Sequence, residues 1–289
     1  MKQKIRHIFH IYHPGVVFLY IAAALVFAML SFHPVYLAMN ILIGSGYAIY
    51  LSGWRQFRKT LFYALFLFVL IALINPFFNQ NGATVFFYLF GRVITVESAV
   101  FGLASGGMLM SVLIWFNCYR HLISNEKFLF LFGRTFPTLA LMLAMINRLI
   151  PAARYKALRI SQAQKAVGFK ESSRKQKIHR GIRISSILMS WTMEDSIDTS
   201  DSMLARGYGQ ARRTTYSLFR WSWHDTSALV ILLCLITLNA VWMLSNSFAF
   251  YPVLSGELLS WRIAAGYLFH ALLLLFPLIL EMRESFKWT

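Results

Sequence analysis

Four of the chain's 11 acidic residues, Glu194, Asp195, Asp198 and Asp201, fall within eight residues of one another. Carboxylates that close can ligate a metal, share a proton, or pair with cations. A metal fits worst, because no His or Cys stands near them at ligand spacing. The candidate partners are Arg148, Arg154 and Arg159 of the preceding helix. Two readings stand: ion pairs that brace two helices, or a solvated acidic face whose exposed pairs contribute little.

A second pattern occurs twice. Ala163-Gln164-Lys165-Ala166-Val167-Gly168 and Met203-Leu204-Ala205-Arg206-Gly207-Tyr208 both close a helical stretch on a small residue, one variable residue and a glycine. A cation at a helix C-terminus gains ~0.3–1 kcal/mol from the macrodipole. That accounts for Arg206 but not for two small-residue ends. A glycine beside a projecting guanidinium lets another protein approach the backbone while the arginine reaches its carboxylates. The candidate docking points are therefore Ala166-Val167-Gly168 at one end and Ala205-Arg206-Gly207 at the other. The block 148–220 has no Gly-x-x-x-x-Gly-Lys loop to cradle a phosphate. Cys118 and Cys234 both lie in apolar runs and read as inert single thiols.

The elements that must position these residues are two helices. Arg148 to Ala166 is built of good helix formers, with Pro151 in the first turn and Gly168 past the end. A basic link, Phe169 to Lys177, leads to a second helix over Ile178 to Ala205, ending at Gly207 and Gly209. Ile184, Ile187, Leu188 and Trp191 share one face of it. The same face continues into Glu194, Asp195 and Asp198.

Around this block the chain is apolar: 58% of its residues are hydrophobic and 13% charged, yet the net charge is +17. Disorder and disulfide scaffolds are excluded by that composition and by two cysteines. Six runs are long enough to cross a bilayer: Val16 to Phe32, Pro34 to Ser52, Leu61 to Phe78, Ser98 to Asn117, Thr226 to Ser245 and Ile263 to Leu280. None alternates with period two, so a β-barrel is out. Lys2, Lys4 and Arg6 before the first run resemble a secretory signal, but no cleavage site follows, and the run reads as a retained helix. Phe128 to Ile150, broken by Gly133, Arg134 and Pro137, reads as an interfacial or re-entrant pair of helices. With both termini inside, 26 of the 28 basic residues lie on the cytoplasmic side, leaving Arg92 and Arg262 outside. Fifteen of them fall in 148–220. The organisation that follows is a transmembrane region over 1–147, a cytoplasmic region over 148–220 and a transmembrane hairpin over 221–289. Nucleic acid is an improbable partner, because the basic helices lack interleaved aromatics.

Within the spans, Gly102 and Gly106 form a Gly-xxx-Gly pair with Gly107 adjacent, and Gly44 and Gly46 thin the second run. Close internal packing is the favoured reading. A smooth contact surface for a partner is the other, which Phe62, Phe66, Phe68 and Phe128 to Phe132 could also supply. His270 is the ionisable residue deepest in a span, and it reads as a neutral histidine bonded to a neighbouring helix.

These features together resemble the transmembrane T component of energy-coupling factor (ECF) transporters, the EcfT/CbiQ family. The resemblance is carried by His13-Pro14 before the first span, Ile94-Thr95-Val96-Glu97-Ser98 before the fourth and Arg148-Leu149-Ile150-Pro151 opening the basic block. Its most specific part is the two Ala-Arg-Gly-type ends, followed by Arg212-Arg213-Thr214. The resemblance implies an all-α membrane protein of six spans with two cytoplasmic coupling helices between spans four and five. It further implies that each coupling end docks on one of two ABC-type ATPase subunits, and that the membrane part holds a substrate-binding S component. ATP and Mg would be bound by the ATPases and no cofactor by this chain, which would itself be no enzyme. The setting would be a bacterial or archaeal cell membrane, and the cargo a vitamin or transition-metal ion. Where the family has arginine the first end has Val167, which cannot bond a carboxylate. That contact is then weaker, or is supported by Lys165 or Lys170. The alternative is an integral membrane enzyme acting on lipid or a phosphate-bearing head group; a third reading is an anchor to anionic lipid.

Overall fold

The computed structural model describes residues 12–79, 82–89, 92–133, 135–168, 173–210, 219–245 and 261–285. They are nearly all helical and divide into two compact units, residues 1–128 with 219–289, and residues 129–218.

The first unit holds α1 (Pro14–Leu30), α2 (Pro34–Ser52), α3 (Trp54–Phe78), α4 (Val96–Leu122), α8 (Trp223–Ser245) and α9 (Trp261–Ser285). Two of these start by the same device. His13 and His33 are N-caps whose Nδ1 accepts the N–H two residues on, from Gly15 at 3.2 Å and Val35 at 3.4 Å. Each is followed by a proline at the first helical position, where its missing N–H and fixed φ suit a helix start. Between α2 and α3 the turn is a single residue. Gly53, at φ +76, ends one helix and begins the next, a left-handed conformation that favours glycine. As a result Arg55, Arg58 and Lys59 occupy the first turns of α3 rather than a loop.

Helix α4 is the hub. Gly106 lies against α3, where an added Cβ would come within 2.8 Å of the Phe68 carbonyl oxygen, and Gly102 faces the Ala72 carbonyl at 3.0 Å. On another side Gly44 of α2 makes room for Trp115 and Ile114. These residues join Tyr20, Tyr47, Leu273 and Leu274 in one buried core. The Tyr20 hydroxyl donates to the Leu274 carbonyl at 2.9 Å, tying α1 to α9.

The helices alternate in direction. The starts of α1 and α8 meet at one end, through His13 and Asp225, and those of α2 and α9 at the other, through His33 and Tyr267. The chain thus leaves this unit after α4 and re-enters it before α8 at the same end. Among the described residues, α2, α3, α4 and most of α8 and α9 are long and apolar enough to cross a membrane, and α1 is a shorter apolar helix. This is the pattern of a multi-pass membrane protein. At the far end α3 and α4 are joined by an antiparallel hairpin, β1 (Val85–Leu89) and β2 (Arg92–Thr95), pairing Val85 with Thr95 and Tyr88 with Val93 around a bulge between Val85 and Phe87.

The helix α5 (Asn125–Gly133) follows α4, and the second unit carries α6 (Pro137–Ala166) and α7 (Arg174–Ala205). This unit begins at Leu129. Helix α6 starts at Pro137 and runs through Pro151 without a break. Pro151 therefore lies in a helix interior rather than a first turn, at a cost of roughly 3 kcal/mol that the flanking turns outweigh. Pro137 takes the N1 place instead. Helix α7 likewise starts earlier than Ile178, because Ser173 is its N-cap and the Gln176 side chain accepts the Ser173 N–H at 3.3 Å.

Candidate functional site

Both long helices of the second unit end in a C-cap residue followed by a left-handed glycine. On α7 the Gly207 N–H donates to the Leu204 carbonyl at 2.9 Å and the Tyr208 N–H to the Met203 carbonyl at 3.0 Å. That crossed pair satisfies the last carbonyls and requires a left-handed residue between them, which Gly207 supplies at φ +80. On α6 the Gly168 N–H donates to the Lys165 carbonyl at 3.1 Å, with Gly168 at φ +90. Val167 and Arg206 are the two C-cap residues, with nearly equal backbone angles (φ −78, ψ 5 and φ −86, ψ 7). An added Cβ at Gly168 or Gly207 would meet nothing within 4 Å, so each glycine is set by backbone conformation and faces open space. Val167 is 79% exposed, and Lys165, Ala166, Ala205 and Arg206 are exposed too. The two ends are thus geometrically equivalent platforms, one offering an isopropyl group and the other a guanidinium.

Between these ends the helices pack side by side. Ala153, Lys156, Ala157, Ile160, Ser161 and Gln164 form the half-buried stripe of α6. On α7 the stripe is Arg180, Ile184, Ile187, Leu188, Asp195 and Thr199. The ion pair across it joins Lys156 to Asp195, and the Lys156 amine also lies 5.8 Å from the centre of the Trp191 ring. Further along, the Arg180 Nη2 donates to the Ser161 carbonyl at 3.0 Å. The order of these contacts makes the two helices antiparallel.

The acidic cluster therefore divides. Asp195 braces α6 against α7, but through Lys156 and not through Arg148, Arg154 or Arg159, which are exposed. The physical reason is helical phase: Lys156 shares a stripe with Ala153 and Ile160, whereas those arginines point away from it. Arg159 lies over the ring of Tyr155 instead, at 4.9 Å. Glu194, Asp198 and Asp201 are exposed. Among the described residues no group of three His, Cys, Asp or Glu side chains could hold a metal ion. Lys170, Arg134, Arg212-Arg213-Thr214 and the N-terminal Lys2, Lys4 and Arg6 lie outside the described residues.

In the first unit a buried carboxylate joins two helix starts. Asp225 sits in the first turn of α8, where its Oδ2 accepts the Ser222 N–H at 2.9 Å and the Ser222 hydroxyl in turn accepts the Asp225 N–H at 3.3 Å. This Ser-x-x-Asp capping box was legible in Ser222-Trp223-His224-Asp225. Its other oxygen, Oδ1, accepts the His13 N–H at 2.8 Å, clamping the start of α1 to the start of α8. Burial holds the His13 imidazole below its ordinary value, with the Asp225 carboxylate opposing that shift. The Trp221 ring stands edge-on to His13 at 4.6 Å. At the end of α4, the buried Lys127 amine donates to the Leu122 carbonyl at 3.1 Å, and burial pulls its pKa down to about 8.

Deeper in the helices His270 is fully buried, with Nδ1 3.0 Å from Asn239 Nδ2 on α8. This contact ties α9 to α8. Gly102 and Gly106 both face α3. Phe68 packs on Gly106, while Phe62 and Phe66 are exposed on the outer side of α3.

A helical, multi-pass membrane architecture carrying a separate unit with two matched helix ends is the class these features define. No protein-family model matches the chain, and no curated protein matches it.

Proposed function

We propose that the chain is the transmembrane coupling subunit of an ECF-type importer, with six spans, both termini cytoplasmic, and α6 and α7 as the coupling helices. The observation that carries this reading is the equivalence of the two exposed helix ends at Val167-Gly168 and Arg206-Gly207, 39 residues apart. Two matched ends suit two homologous or identical partners, each offering one groove. The ATPase subunits provide nucleotide binding and hydrolysis, and an S component in the membrane binds the vitamin or metal ion. The charge distribution supports the orientation, since 15 basic residues fall between 148 and 220. The shared exit and re-entry of the chain at one end of the first unit also supports it, because it needs no net crossing by residues 129–218. Helix α6 is not among the helices apolar enough to span.

Arg206 carries the stronger coupling contact and Val167 the weaker, because only a guanidinium forms two parallel bonds to a carboxylate. Lys165, exposed in the last turn of α6, supports the weaker end. The test is Arg206→Ala and Val167→Arg in the complex recovered from native membranes, with ATPase association and substrate uptake as readouts. Removing one partner of a desolvated charge pair costs ~2–5 kcal/mol, so Arg206→Ala is expected to weaken association about 30-fold or more. Val167→Arg is expected to tighten it. Unchanged association and uptake in Arg206→Ala overturns the docking assignment.

A further inference from the structure

The β1–β2 hairpin places large side chains where a loop between two spans would ordinarily carry polar ones. Phe86 and Tyr88 are each 71% exposed and Val85 is half exposed, whereas Ile94 and Thr95 of the partner strand are buried. The end of α3, which the hairpin follows in the chain, is also apolar and exposed: Phe78 is 77% exposed and Phe77 precedes it. Phe32, exposed at the α1–α2 turn, belongs to the same end and stacks on Phe101 of α4.

This hairpin is not a loose tip. The Thr84 N–H donates to the Glu97 carboxylate at 3.2 Å and the Thr84 hydroxyl at 2.7 Å, fastening the hairpin base to the first turn of α4. Val96 N–H donates to the Thr84 carbonyl at 3.1 Å beside it. Gly82, at φ +143, passes so near that an added Cβ would lie 2.6 Å from Glu97 Oε2. The base of the hairpin is therefore held against the first turn of α4.

We infer that the hairpin lies in the lipid headgroup layer at the α3–α4 end, with Val85, Phe86 and Tyr88 set at the boundary between headgroups and acyl chains. Three observations carry the occupant. The hairpin connects α3 to α4, two helices apolar enough to span a bilayer. Tyrosine and phenylalanine together suit an interface that is apolar on one side and wet on the other. Depth is bounded by the backbone: a two-stranded ribbon leaves a row of N–H and C=O groups on each outer edge, and each costs several kcal/mol if left unsatisfied in hydrocarbon. The hairpin accordingly stays at headgroup level, where water reaches those edges. The inference needs a membrane protein but not the coupling role.

The experiment is nitroxide labelling of the full-length chain at Phe86→Cys and, separately, Tyr88→Cys, in a Cys118→Ala, Cys234→Ser background. The labelled protein is reconstituted in phosphatidylcholine–phosphatidylglycerol vesicles. Collision with oxygen, which concentrates in lipid, is compared with collision with a water-soluble nickel chelate. References are the same label at Leu70 in the middle of α3 and on a short soluble peptide. Both side chains are mostly exposed, so either substitution removes little packing, and the second site stands in if the first variant fails to fold. The oxygen-to-nickel ratio at 86 and 88 is expected to exceed the peptide's several-fold and to fall below that at Leu70. A ratio equal to the peptide's places the hairpin in water and overturns the inference. So does protection from both reagents, which would mean that protein covers it.

Discussion

Replacing Gly106 with alanine tests whether α3 and α4 meet as closely as the core requires. The added Cβ would stand 2.8 Å from the Phe68 carbonyl oxygen and 3.2 Å from Phe68 Cδ2. The first of these is backbone, so one helix must move. Overpacking of this kind costs ~1–3 kcal/mol. Alanine also gains ~0.5–1 kcal/mol over glycine in a helix interior, and that gain has to be measured separately. Gly46→Ala supplies it: Gly46 is exposed on α2, and an added Cβ there meets nothing within 4 Å. Gly46→Ala is expected to stabilise slightly and Gly106→Ala to destabilise, the two separated by ~1–3 kcal/mol, or about 5- to 150-fold in the unfolding constant. Gly102→Ala, 3.0 Å from the Ala72 carbonyl oxygen, falls between them. The assay is reversible unfolding in mixed micelles by a denaturing detergent, followed by circular dichroism. If Gly106→Ala is as stable as Gly46→Ala, the close approach of α3 and α4 is refuted. The Gly-xxx-Gly pair would then be free to serve a partner.

Asp225→Ala removes a cap worth ~0.5–2 kcal/mol and leaves the His13 amide unsatisfied at ~1–3 kcal/mol more. Asp225→Asn, keeping one acceptor oxygen, should lose less in the same micelle assay. For Lys127 the folded pKa of about 8 lies below the unfolded value of 10.5. Between those values the unfolded state holds more protons, so stability should rise with pH from about 8 to 10.5 and level off on either side. A Lys127→Met chain should lack that rise when the two pH profiles are subtracted. Lys156→Ala and Asp195→Ala, alone and combined, should give a coupling energy under about 1 kcal/mol, because both side chains are partly exposed and solvent screens the pair. A coupling of several kcal/mol would show that the pair is desolvated.

Span positions were legible because a long apolar run needs no partner to define it. Pro34–Ser52 matches its expected run residue for residue. What was not legible depends on what polar stretches do once anchored. Arg55, Arg58 and Lys59 fall between the apolar runs Pro34 to Ser52 and Leu61 to Phe78, but Gly53 restarts the helix at once and draws them into α3. Pro151 reads as a helix start because a proline within a helix is costly; here Pro137, 14 residues earlier, takes that place. Asp195 could be assigned to a brace, but choosing Lys156 over three arginines required knowing which stripe of α6 faces α7. The hairpin carried a signal in the aromatic and β-branched residues of Val85–Leu89 and Arg92–Thr95, which apolarity alone hid. The equivalence of Val167 and Arg206 was visible as spacing, while their shared cap geometry was not.

The clamp between His13 and Asp225 joins residues 212 positions apart, and the Tyr20 bond to Leu274 spans 254. At a synthesis rate of about 5–20 residues per second, the first helix waits roughly 10–40 s before its clamp partner exists. During that interval the buried side of α1 (Val16, Val17, Tyr20, Ile21 and Ala24) has no α9 to pack on. The bundle therefore closes only once its last two helices have been made, so early helices must be sheltered by the insertion machinery. A chain cut short before α8 should be a substrate for membrane proteolysis rather than a smaller stable protein.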